Sequence, residues 1–304
     1  MIIKFPNRNN NSKHYFNEIA DIWATEAFPE LAYRTLSCYK APLQKAKDYF
    51  FHKYIEDITH LQVKSYMDYL VNEFGYSKKT IKNYRIVLSM IFKYAVVNDM
   101  IENNPVTDVS IPKGLKSTHR LPPSESEIEK IKNNVNYEFG LFYYFLLYTG
   151  IRRGEALALT YEDIDWDNSL IYINKTLYHK NNLPVIKAPK TESGIRYIPL
   201  LNPLKEVLDK NKSGIIFSNE SGNYMTASQV ETKLKWYRRK TGISCSPHQL
   251  RHEYATILHE ADIVDKDAQE LLGHAQISTT KDIYMHITPK RLKKTAEKLN
   301  EYLS

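Results

Sequence analysis

The 304-residue chain holds only two cysteines, Cys38 and Cys245, too few for a disulfide framework, and no Cys-x-x-Cys pair that would hold zinc. No apolar run approaches the ~20 residues a membrane helix needs. The opening stretch to Lys13 is polar and Asn-rich, unlike a secretory leader. A reduced, cytoplasmic protein without a membrane partner is the expectation. There is no P-loop and no Gly-rich dinucleotide loop, so no nucleotide cofactor is expected either. What is present is ordinary for a globular protein, with length for two domains. The formal net charge of +7 favours acidic partners, nucleic acid above all. Tyrosine is abundant at 23 residues, so any single tyrosine needs support from its context.

Periodicity suggests a mainly α protein with a small antiparallel β-sheet. Residues 1–12 read as a flexible tail, with Asn7 to Ser12 lacking apolar periodicity. Residues 13–106 read as helical throughout. Phe16, Ile19, Ala20 and Trp23 share one helix face, and a second helix is expected over 37–51, with Pro42 disturbing its first turns. Thr59 and Ser77 are N-caps for two more. The Ser77 helix carries Ile81, Tyr84, Leu88, Ile91, Phe92 and Ala95 on one side and Lys78, Lys79, Lys82 and Arg85 on the other. Residues 107–123, rich in proline and basic side chains, read as a linker. A second domain, 124–304, begins at the capping-box pair Ser124 and Glu127. Its apolar helix over 139–148 ends at Gly150, and a short helix follows over 152–159. Strands are expected over 169–177, 183–187 and 195–200, with Pro189 to Gly194 turning between the last two, and another over 214–218. Helices resume over 226–240, 247–260, 265–272, 278–287 and 290–303.

Five places in the second domain carry side chains suited to chemistry. Arg152 stands where a turn enters a helix. A lone arginine there is ordinarily a solvated surface residue, but its planar fork also suits a phosphate. Glu155 pairs with it or caps the helix. Lys190 sits on a turn, idle in water or able to donate a proton. His248 and Arg251 lie three apart on one helix face. His248 and His252 also have the four-residue spacing of a metal pair, but Gln249 stands where a zinc protease needs a glutamate base, so no metal site is expected. His274 follows a helix end at Gly273, as a favourable charge or as a hydrogen-bond donor. Tyr284, taken alone, is a half-buried tyrosine on an amphipathic helix.

In this order the five places resemble the tyrosine recombinase (phage integrase) family. The resemblance rests on Thr149-Gly-Ile-Arg152-Arg-Gly-Glu155, Lys190-Thr with Arg196 at the end of its run, His248-Gln-Leu-Arg251-His252, Leu272-Gly-His274, and Thr280 to His286 around Tyr284. It spans roughly 124–287, and the helices before it look like the family's core-binding domain. The resemblance implies a DNA-cleaving enzyme with catalytic Arg152, Lys190, His248, Arg251, His274 and Tyr284. Tyr284 would attack a phosphodiester, leaving a 3′-phosphotyrosyl link and a free 5′-hydroxyl. The ester conserves the bond energy, so neither ATP nor a metal is called for.

The same resemblance implies double-stranded DNA as partner, a homotetramer on that DNA, and accessory DNA-bending or directionality proteins as possible further partners. No separate arm-binding domain is expected before the first helix. The C-terminal helix 290–303, with Leu292, Ala296, Leu299 and Leu303 on one stripe, packs on its own domain or docks on a neighbouring protomer. For DNA binding the candidates are Lys78, Lys79, Lys82 and Arg85, and on the helix from 226 Lys233, Lys235, Arg238, Arg239 and Lys240; a solvated basic face is the alternative. A mobile-element integrase is favoured over a chromosome-dimer resolvase. Two other readings compete: a type IB topoisomerase, and a catalytically silent DNA-binding regulator of the same fold.

Overall fold

The computed structural model describes residues 13–116, 121–189 and 192–273. Lys190, His274, Tyr284, the tail 1–12 and the helices expected over 278–287 and 290–303 lie outside the described residues. The chain divides into two compact units, Met1–His119 and Arg120–Ser304. Among the described residues no helix is long and apolar enough to cross a membrane.

The first unit is helical: α1 (Phe16–Ala27), α2 (Tyr33–Tyr49), α3 (His60–Phe74) and α4 (Lys78–Val97). Its start signals are local. Thr59 accepts from the Gln62 amide while the Gln62 side chain bonds back to the Thr59 amide, and Ser77 accepts from the Thr80 amide. Phe16, Phe50, Tyr66 and Phe92 fill the core with tilted aromatic contacts. Each such ring contributes about 1.5–3 kcal/mol by leaving water.

Helix α2 departs from expectation. It begins at Tyr33, so Pro42 falls midway along it and is buried. A mid-helix proline deprives the carbonyl four residues back of its donor. That carbonyl belongs to Cys38, and the Asn83 side-chain amide on α4 reaches it at 3.5 Å. The stretch after α4 also differs from a free linker. Val106 and Val109 are buried in this unit's core, and Ile111 and Leu115 pack against it. The Asn104 amide bonds the Ser89 carbonyl, and His60 Nδ1 meets the Pro105 carbonyl at 2.6 Å.

The second unit opens with α5 (Glu125–Asn133), α6 (Gly140–Thr149) and α7 (Arg153–Ala158). Helix α6 is apolar almost all round and buried nearly throughout, which makes it the central rod of the core. It stops at Gly150, whose φ of +59 suits glycine, and a Cβ there would stand 2.2 Å from the Tyr254 ring. Strands β1 (Ile164–Asp165), β2 (Leu170–Ile173), β3 (Thr176–Lys180), β4 (Leu183–Lys187) and β5 (Arg196–Pro199) follow. Helices α8 (Asn202–Val207), α9 (Ala227–Thr241), α10 (Pro247–Glu260) and α11 (Asp265–Leu272) complete the described residues.

The strands form two sheets rather than one. β1, β2 and β5 make an antiparallel sheet, while β3 and β4 make a separate hairpin. The expected strand over 169–177 is broken between Ile173 and Thr176. The tight turn is Asn181-Asn182, both at positive φ, as a two-residue hairpin turn requires. Residues 183–187 and 195–200 therefore do not pair with each other, and Pro189 to Gly194 connects the two sheets instead of closing a hairpin. Residues 214–218 make only isolated bridges, Ile215 to Thr160 and Ser218 to Tyr224. The carboxylate of Glu127 fixes a distant join: besides closing the cap on α5 it accepts from the Ser244 amide and hydroxyl and the Cys245 amide, at 2.7, 2.8 and 3.0 Å, just before α10.

Candidate active site

The site gathers where α11 ends. A helix leaves its last carbonyls without intrahelical donors, and they carry the negative end of the helix dipole. Here three consecutive carbonyls each receive a different arginine. Arg196 Nε donates to Leu271 at 2.8 Å, Arg251 donates to Leu272, and Arg152 donates to Gly273 at 2.7 Å. Arg152 is the N-cap of α7, Arg196 the first residue of β5, and Arg251 lies in the second turn of α10. Three elements distant in sequence thus converge on one turn of backbone.

One carboxylate sits among the three cations. Glu155 accepts from Arg152 at 2.7 Å and from Arg196 at 2.9 Å, and it also accepts the Arg152 backbone amide at 2.9 Å. Burial pushes the Glu155 carboxyl up, but the charge and hydrogen bond of Arg196, reinforced by Arg152, outweigh it and hold the carboxyl below its ordinary value. Glu155 thus both pairs with Arg152 and caps α7. Among the described residues, three guanidinium groups against one carboxylate leave the cluster net positive. Arg251 feels this: burial, then the nearby Arg152, pull its proton affinity below the ordinary guanidinium value, and Glu155 works the other way. Arg251 also donates to the Gly150 carbonyl at 2.9 Å. The two arginines expected to meet a phosphate differ in exposure. The Arg152 side chain is 45% exposed, whereas Arg251 is 4% exposed.

His248 stands in the first turn of α10, exposed, one turn before Arg251. Its ring meets that of His252 edge to face, centroids 4.6 Å apart. No group of three or more His, Cys, Asp or Glu side chains able to hold a metal occurs among the described residues. The structure thus brings Arg152 and Arg251 together and sets His248 on the same helix as Arg251.

Sequence alone marks Arg196 only as the end of a motif run. The signal for more is its place in an alternating strand. Arg196 shares the inward face of the sheet with Ile171, Ile173 and Ile198, opposite Ile173 in register. A charged residue at an inward strand position needs a buried counter-charge, and Glu155 is that partner.

The basic candidates separate into groups. Lys78, Lys79 and Lys82 are exposed on α4. Arg85 is half-buried and donates to the Val106 and Thr107 carbonyls at 3.3 and 3.0 Å, so its guanidinium straps down the chain after α4. On α9, Lys235, Arg239 and Lys240 are exposed. Lys233 pairs with Glu138, and Arg238 bonds the Leu234 carbonyl one turn back. At roughly 100° per residue these five wrap the whole solvent side of α9 instead of forming one stripe.

Comparison with known proteins agrees with this architecture. The model for the phage integrase family matches residues 124–291, and that for the phage integrase SAM-like domain matches 11–111. This chain belongs to the phage integrase family, the tyrosine recombinases, a class of enzyme that cuts and rejoins DNA. Among its relatives is a XerC-like tyrosine recombinase of Caldanaerobacter subterraneus subsp. tengcongensis, 28% identical over 282 residues that cover 81% of this chain and 72% of the relative. The ICEBs1 integrase of Bacillus subtilis is 28% identical over 276 residues, 84% of this chain and 74% of that one. In fold, the chain is similar to the Tn1549 transposon integrase in complex with a circular intermediate DNA, with a TM-score of 0.79 at 22% identity, covering 95% of this chain and 100% of the other.

Proposed function

We propose that this chain is a site-specific recombinase of a mobile element that cleaves and rejoins double-stranded DNA through a 3′-phosphotyrosyl intermediate at Tyr284. The observation that carries the proposal is the convergence of Arg152 and Arg251 on the end of α11, at the carbonyls of Gly273 and Leu272. Forked cationic donors suit the charge that builds on the non-bridging oxygens of a phosphodiester under attack. Each guanidinium has five N–H donors, and the hydrogen bonds above leave some for a phosphate.

The phenol oxygen of Tyr284 bonds to phosphorus as the bond to the 5′ oxygen breaks. His248 takes the phenol proton, and His274 adds a hydrogen bond to a phosphoryl oxygen. Lys190 gives the departing 5′ oxygen its proton. In the second half a 5′-hydroxyl from another duplex gives its proton to Lys190 and bonds to phosphorus as the tyrosyl O–P bond breaks, and Tyr284 takes its proton back from His248. Exchange between two duplexes uses four such sites, so a tetramer assembles on DNA, joined through residues 290–303. Lys78, Lys79 and Lys82, with the exposed cations of α9, bind the DNA backbone. Relatives named as transposases from transposons Tn916 and Tn1545 support the mobile-element reading.

The test is a nicked duplex carrying the DNA that flanks the gene, assayed on a denaturing gel for a protein–DNA adduct. The intact protein forms the adduct, and Tyr284→Phe binds the same DNA without forming it. An adduct with Tyr284→Phe removes Tyr284 as nucleophile. Binding without any adduct from the intact protein gives the chain to a silent regulator.

A further inference from the structure

We propose that Arg196 is a positioning residue of the cleavage reaction, fixing through Glu155 and the end of α11 where the Arg152 guanidinium sits against the Gly273 carbonyl. The inference rests on the recombinase reading above.

Its guanidinium reaches three pieces of chain at once. It donates to Glu155 at 2.9 Å, to the Leu271 carbonyl at 2.8 Å and to the Gly194 carbonyl at 3.2 Å. Glu155 in turn holds Arg152, and Arg152 bonds the Gly273 carbonyl, so the hydrogen bonds close into a ring: Arg152, Glu155, Arg196, and the Leu271–Gly273 backbone. Backbone shape tightens the ring further. Gly273 has a φ of +63, and a Cβ on it would stand 2.8 Å from Arg196 Nη1 and 2.9 Å from the Ser193 carbonyl. The helix end rests directly on the guanidinium, one residue before His274. The bond to Gly194 ties in the connection that carries Lys190.

Core filling does not explain the residue. Its neighbours on the inward face are isoleucines, and a buried ion pair contributes little net stability relative to well-packed apolar side chains. A planar fork that binds in three directions specifies relative position, which a lysine ammonium at the end of a flexible stem does not. Displacement of a catalytic group by about 1 Å costs on the order of a hundredfold in rate.

The test compares intact protein, Arg196→Lys and Arg196→Gln at saturating nicked duplex, following single-turnover adduct formation. Two substrates are used: a phosphodiester, and a methylphosphonate in which a methyl group replaces one charged oxygen at the cleaved phosphorus. A neutral phosphonate needs less help from guanidinium groups. Arg196→Lys is expected to melt cooperatively and bind DNA within about twofold of the intact protein. Its cleavage of the phosphodiester falls roughly a hundredfold, and most of that deficit disappears on the methylphosphonate. Where Arg196→Gln loses its fold, the lysine variant decides. Cleavage by Arg196→Lys at the intact rate, an equal deficit on both substrates, or loss of cooperative melting in both variants each overturns the proposal. The intact protein and Tyr284→Phe serve as controls: failure of the intact protein to form an adduct counts against the recombinase reading, whereas normal controls with an unaffected Arg196→Lys count against Arg196 alone.

Discussion

Glu155 and Arg196 meet carboxylate to guanidinium at 2.9 Å with side chains 4% and 2% exposed. Neither charge is tolerable there without the other, since a buried ion without a partner costs several kcal/mol. Yet the pair does not stand apart from the chemistry. The same carboxylate binds Arg152, and the same guanidinium binds the backbone that leads to His274.

Glu155→Gln is expected to reduce unfolding stability at pH 7 by about 3–5 kcal/mol, the usual cost of removing one partner from a buried pair. The pH dependence follows from the lowered carboxyl. Because the folded value lies below the ordinary 4.5, the ionised group stabilises the fold fully above about pH 4.5, and that contribution is lost as pH falls through the folded value. Denaturant unfolding from pH 7 to pH 3 therefore shows the gap between intact protein and Glu155→Gln narrowing only at the acid end. A gap that is constant with pH contradicts the assignment.

Arg152 and Arg251 are expected to fail differently when truncated. Arg152→Ala lowers adduct formation roughly 10²–10³-fold while costing about 1 kcal/mol of stability, because its side chain is nearly half exposed and Glu155 keeps Arg196 as a partner. Arg251→Ala abolishes cleavage and also costs about 2–4 kcal/mol, since the Gly150 and Leu272 carbonyls are left without buried donors. Thermal unfolding beside a cleavage assay separates the two. If Arg251→Ala melts like the intact protein, the buried hydrogen bonds are not what holds it.

Charge on α4 divides in the same way. Each of Lys78→Ala, Lys79→Ala and Lys82→Ala is expected to flatten the plot of log affinity against log salt by about 0.9 for every phosphate that the variant no longer neutralises. Arg85→Ala leaves that slope alone and instead lowers stability by about 1–2 kcal/mol, because the Val106 and Thr107 carbonyls are deprived of their donor. Fluorescence anisotropy across a salt series, with urea unfolding, distinguishes a residue that binds DNA from a strap.

Much of the architecture is readable from local chemistry. The caps at Thr59, Ser77 and Ser124, and the stops at Gly150 and Gly273, each depend on residues within a turn of one another. What escapes depends on distant partners. The strand over 169–177 looks continuous because its alternation hardly falters at Asn174-Lys175; only pairing of β2 with β5 and of β3 with β4 separates the halves. Asn181-Asn182 lacks the glycine that usually announces a two-residue hairpin. Pro42 reads as a helix disturber until Asn83, on another helix, supplies the missing donor. Arg85 resembles its lysine neighbours in sequence and differs only in what lies beside it. In the site, residue types and order point to Arg152, His248 and Arg251, whereas the buried task of Arg196 emerges only once Glu155 and the end of α11 are placed against it.

The termination of α11 has an implication for how this chain tolerates change in length. The Leu271 and Leu272 carbonyls sit roughly 100° apart around the axis, the Gly273 carbonyl follows in a left-handed cap, and each is matched to a cation arriving from a different element. Inserting or removing one residue within the helix would swing all three acceptors away from their arginines together. Surface loops elsewhere absorb such changes readily, but this eight-residue helix works as a fixed-length gauge, its phase as well as its position set by the groups that read its final turn.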